Sequence, residues 1–87
     1  MVEESLTRSM MREGVKETVD YSGRPVAKVM SETRQQPYVK VRQIAMYRLH
    51  KELNASASEI ARFFRKDHTT VLYALRKVRE EIIENDN

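Results

Sequence analysis

The chain has no cysteine, which excludes a disulfide framework and any thiolate metal site. It also lacks an apolar run near the roughly 18 residues a membrane span needs, and no signal-peptide core is visible. These absences point to a soluble, cytoplasmic domain. Two glycines (Gly14, Gly23) and two prolines (Pro25, Pro37) in 87 residues punctuate the chain so sparsely that it reads as mostly helical. At this length one small domain fits, its core is thin, and a large enzyme cleft is excluded.

Charge is what the chain does have, and its placement matters more than the net +3. Residues 34–79 carry eleven Lys or Arg against three Asp or Glu, a balance of +8. Residues 1–33 come to −1 and residues 80–87 to −4. A basic middle between acidic ends suits a polyanionic partner.

Apolar spacing places five helices. Residues 1–13 are weakly patterned and read as a flexible or partly ordered lead-in, with the folded domain over 14–84 and a tail at 85–87. Val15 and Val19 lie four apart on a short helix ending near Tyr21. Pro25 suits the opening of a second helix that carries Val26, Val29 and Met30 and ends near Glu32. After the polar connector "TRQQP" a long helix begins at Tyr38. Its apolar face is Val41, Ile44, Ala45, Leu49 and Leu53, with Arg42, Arg48 and Lys51 largely outside it. Ser56 and Glu59 form a capping box opening a fourth helix, which presents Ile60, Phe63 and Phe64. Asp67 is placed as N-cap of a last helix whose stripe is Val71, Leu75, Val78 and Ile82, with Leu72 beside it. A short helix, a polar connection of about three residues and a longer helix follow the order of a helix-turn-helix.

The stretch "DHTT" (67–70) at the mouth of that last helix admits several chemistries. A catalytic triad is disfavoured because consecutive residues at a helix start point in different directions, and no glycine-rich oxyanion loop is present. A metal site lacks ligands, since His50 and His68 stand eighteen residues apart with no thiolate. A plain N-cap accounts for Asp67 alone. Base readout uses all four residues: Asp accepts from cytosine N4, His donates to guanine or thymine acceptors, and Thr offers a hydroxyl and a methyl.

The segments "VRQIAMY" (41–47), "KEL" (51–53), "EIARFF" (59–64) and above all "DHTTVLYALRKV" (67–78) resemble the C-terminal DNA-binding domain, domain IV, of the bacterial replication initiator DnaA. The resemblance extends more weakly back to Val15 through "VAKVMSETR" (26–34). It implies an all-α bundle holding a Trp-repressor-type helix-turn-helix that binds double-stranded DnaA boxes. By resemblance, Asp67, His68, Thr69 and Thr70 meet bases in the major groove, and Arg34 enters the neighbouring minor groove. Arg42 and Gln43 match phosphate contacts, and Lys77 a basic position of the last helix. Lys40, Arg65 and Lys66 join this phosphate set through the basic middle. Two departures stand out: Arg65-Lys66 replace the family's glycine-bearing turn, and "MYRLHKELN" carries an extra residue, as a bulge or a shifted alignment.

The expected function is therefore sequence-specific binding of double-stranded DNA, regulating replication initiation or transcription as a cytoplasmic, nucleoid-associated protein of bacterial or phage origin. No enzyme activity, cofactor, metal, membrane or small-molecule substrate is expected. The P-loop pattern of the initiator's AAA+ module does not occur in these residues, and Met1 with its acidic lead-in fits a free-standing small protein. The competing reading is a helical adaptor whose basic face meets an acidic protein.

Overall fold

A computed structural model describes residues 2–85; Met1 of the expected lead-in and residues 86–87 of the expected tail lie outside it. The helices run Val2–Ser22 (α1), Val26–Val29 (α2), Tyr38–Leu53 (α3), Ala57–Phe64 (α4) and His68–Asn85 (α5), and no strand occurs among the described residues. The protein is an all-α bundle with α3 at its centre, packed against α1, α2, α4 and α5.

Helix α1 starts well before the short helix that periodicity predicts. Its four-residue spacing continues backward from Val15 and Val19 to Met11, and all three are buried against the core. Gly14 lies where α1 crosses α3. A Cβ there would stand 3.0 Å from Leu49 Cδ2, so the helices approach more closely than alanine would comfortably permit. Beside it Thr18 is buried, donating to the Gly14 carbonyl at 3.0 Å and accepting from Arg48 Nη1 at 2.9 Å. Arg48 also binds Glu52 and Glu17, tying α1 to α3.

Helix α2 is a single turn that ends at Val29, not near Glu32, with Pro25 as its N-cap residue. Ser31 ends it: its backbone N–H and hydroxyl both donate to the Lys28 carbonyl, diverting the chain into the connector. Helix α3 runs without a bulge through "MYRLHKEL". Its core face is Val41, Ala45, Met46 and Leu49, while Ile44 is partly exposed and Leu53 half-buried.

The expected placement of Arg42 outside that face is corrected, because it is buried. The physical reason is register. Arg42 lies four residues before Met46 and seven before Leu49, so it shares their stripe.

The two remaining helices take up their positions through caps. Asn54 closes α3 in the left-handed region (φ 55°), which asparagine tolerates. Ser56 and Glu59 form the complete capping box of α4: Ser56 Oγ accepts from the Glu59 N–H, and Glu59 Oε1 accepts from the Ser56 N–H. Ile60, Ala61 and Phe64 bury one face of α4. On α5 the buried stripe is Val71, Ala74 and Val78; Leu75 is half-buried, and Leu72 and Ile82 stand exposed, contrary to the expectation that Ile82 is core.

Candidate nucleic-acid interface

The turn between α4 and α5 consists of Arg65, Lys66 and Asp67. Arg65 ends α4 in the left-handed region (φ 57°, ψ 46°), where glycine is the usual occupant. The Arg65 N–H donates to the Arg62 carbonyl and the Lys66 N–H to the Ala61 carbonyl, the pair of bonds of a Schellman motif. A three-residue connection thus reverses the chain without glycine, and it leaves the Arg65 side chain in solvent and Lys66 half-buried.

Asp67 takes the N-cap position through its backbone: its carbonyl accepts from the Thr70 and Val71 N–H groups at 3.0 and 3.3 Å. Among the described residues no donor is bonded to its carboxylate, so the side chain does not perform the capping expected of it. Asp67, His68, Thr69 and Thr70 are all exposed, and none of their side chains has a hydrogen-bond partner among the described residues. The next residue, Val71, is fully buried. Four free polar groups therefore project from a helix end whose following turn is locked into the core. They also sit at the positive end of the α5 dipole, which favours approach to an anion.

Around this end the structure disperses the expected basic residues. Lys77 is exposed on α5, and Arg34 is exposed in the connector before α3. Gln43 is half-buried on α3. Lys40 is ion-paired with Glu81, joining the start of α3 to the far part of α5. Arg42 is turned inward: Nε donates to the Val29 carbonyl at 2.8 Å, and Nη2 to the carbonyls of Ser31 and Thr33 at 2.8 and 3.1 Å. Burial holds the Arg42 pKa below its ordinary value.

Arg62 on α4 and Arg76 and Arg79 on α5, which belong to the basic middle but carry no contact assigned by the sequence, are exposed as well; Arg76 lies 5.9 Å from the Tyr73 ring centroid. Their positions off the buried stripes are the feature by which they can be found.

A helix-turn-helix whose second helix offers an unpartnered Asp-His-Thr-Thr run has a counterpart among known proteins. Residues 14–78 match the family described as the bacterial dnaA protein helix-turn-helix. The chain belongs to this family.

The domain is accordingly a DnaA-type, DNA-binding helix-turn-helix. The chain is 46% identical over 63 residues to the chromosomal replication initiator protein DnaA of Aquifex aeolicus, covering 71% of this chain and 16% of that protein. It is 37% identical over 73 residues to DnaA of Thermus thermophilus, covering 83% of this chain and again 16% of the relative. The chain thus spans about one-sixth of the length of these DnaA relatives. No solved structure matches. Among the described residues no helix is long and apolar enough to cross a membrane.

Proposed function

We propose that this DnaA-type domain binds double-stranded DNA sequence-specifically at DnaA-box-like sites, and thereby regulates replication initiation or transcription in the bacterial cytoplasm at the nucleoid. The observation that carries the reading is the exposed, unpartnered run Asp67–Thr70 at the start of a helix held rigidly by Val71, Ala74 and Val78. Polar groups presented on a fixed element read bases with defined geometry, whereas the same groups on a loop would first have to be ordered.

In this reading α5 enters the major groove end-on. Asp67 accepts from cytosine N4, His68 donates to a guanine or thymine acceptor, and Thr69 and Thr70 pair a hydroxyl with methyl contact to thymine. Arg34 inserts into the adjacent minor groove, and Gln43, Arg65, Lys66 and Lys77 hold phosphates. Lys40 exchanges Glu81 for a phosphate, a small step because a partly exposed ion pair is worth about 0–1 kcal/mol.

The replication half of the proposal leans on the relatives, which are replication initiators. DNA binding itself requires no nucleotide in this scheme.

The test is fluorescence anisotropy against a duplex bearing a DnaA box and a scrambled duplex, each titrated at two salt concentrations. Tighter binding to the box that persists at the higher salt is the expected result. Equal and steeply salt-dependent binding to both duplexes defeats the specificity claim and leaves electrostatic attachment. Absence of binding to either leaves the adaptor reading.

A further inference from the structure

We propose that Arg42 is a positioning residue: from inside the protein it fastens the connector that carries Arg34, and so sets where Arg34 can reach. The proposal rests on the DNA-binding reading above and assigns Arg42 a role other than the phosphate contact that resemblance implies.

The connector leaves α2 with carbonyls that its single helical turn cannot satisfy. Among the described residues, the carbonyls of Val29, Ser31 and Thr33 accept from no backbone N–H. Unpaired, such groups are costly away from water. Arg42 reaches all three with two of its nitrogens, at 2.8 to 3.1 Å. It is the only buried charged side chain among the described residues, 7% exposed, and it forms no ion pair there. A guanidinium taken out of water without a carboxylate is expensive, so the arrangement persists because three carbonyls of one strap converge on it. The planar fork suits that task, and a lysine ammonium, a single point donor on a flexible stem, does not.

The last of the three anchored carbonyls belongs to Thr33, and it is part of the peptide group that joins Thr33 to Arg34. Side-chain hydroxyls stiffen the same stretch: Ser31 Oγ accepts from the Thr33 N–H and Thr33 Oγ1 from the Gln35 N–H. Arg34 itself projects into solvent. A long side chain on a fixed base loses less freedom on entering a groove than one on a mobile loop, which is how Arg42 contributes to binding without touching DNA.

The experiment is a double-mutant cycle of Arg42→Lys and Arg34→Ala on the box duplex, with the salt slope measured for each protein. It is joined to backbone amide order parameters of the connector in the DNA-free chain. The expected result is reduced order over residues 31–35 in Arg42→Lys with the helices unchanged. On DNA, Arg42→Lys weakens box binding about tenfold in the parent and less than about twofold in the Arg34→Ala background, since coupled residues are non-additive.

Additive losses would overturn the proposal. So would a salt slope lowered by about 0.9 in Arg34→Ala/Arg42→Gln relative to Arg34→Ala, the mark of a lost phosphate contact, since glutamine removes the charge that lysine keeps. Unchanged connector order would overturn it equally. Failure of the parent to distinguish box from scrambled duplex defeats the DNA-binding reading and the DNA half of this proposal together, and the order parameters still decide whether Arg42 holds the connector.

Discussion

At the scale of single residues, His68 and Lys77 separate two kinds of contact. Both are exposed on α5, yet His68 stands at the proposed reading end and Lys77 more than two turns along. His68→Ala is expected to lose about 1–3 kcal/mol on the box duplex and to relax preference at one base position. Lys77→Ala is expected to weaken box and scrambled duplexes alike, with the salt slope falling by about 0.9. Anisotropy titrations on the two duplexes check both, and equal losses on both for His68→Ala sink the readout assignment. Arg65 joins stability to binding, because a non-glycine residue in the left-handed region costs roughly 1–2 kcal/mol. Arg65→Gly should therefore stabilise the fold by about 1 kcal/mol, raising Tm by roughly 4–8 °C, while weakening DNA binding through loss of its charge. A thermal melt and a salt titration on one variant test both halves. The exposed Asp-His-Thr-Thr run was legible because contiguous polar residues before an apolar stripe have few other uses. Arg42 was not, because its charge argued against burial and the three carbonyls it serves are invisible in sequence.

At the scale of elements, what could be read depended on whether the ordering interactions are local. The Ser56–Glu59 capping box, the three-residue turn and the extent of α3 and α4 followed from sequence, since each is decided within a few residues. Apolar spacing predicts a longer α2 than the structure has, because its end is set by Ser31 folding back onto Lys28 and by Arg42 arriving from α3. The front of α1 carries little local signal, because Met11 gains its meaning only from the helices it packs on. The capping box also carries a pH dependence. The hydrogen bond from the Ser56 N–H holds the Glu59 carboxyl below its ordinary value. A folded-state pKa below the unfolded one stabilises the native state above the unfolded pKa, and that contribution is lost as pH falls through the folded pKa. Glu59→Gln keeps an acceptor for the Ser56 N–H but cannot titrate. Its stability should fall less steeply on acidification below about pH 4.5 than that of the parent, and denaturant midpoints measured across that range decide it. Parallel acid limbs in the two proteins would remove Glu59 from the account.

At the scale of the whole molecule, the groups proposed to read DNA and the groups that hold the fold occupy different surfaces. Asp67–Thr70 lie outside the core, whereas Met11, Val15 and Val19 of α1 are buried in it. Small domains are marginal: at about 0.05–0.15 kcal/mol per residue, a chain this short has little stability to lose. Helix α1 is thus a buttress whose value lies in keeping α3 in place, and α3 in turn positions both the connector and α5. Met11→Ala makes this separable. Removing a buried thioether side chain should cost about 2–5 kcal/mol and lower Tm markedly. Measured well below that Tm, the ratio of box to scrambled affinity should stay at the parent value, because the reading groups and their rigid support on Val71, Ala74 and Val78 are untouched. A changed ratio in a fully folded Met11→Ala variant would mean that α1 sets the presentation of α5 through α3, and that stability and specificity in this bundle are coupled by the packing at its centre.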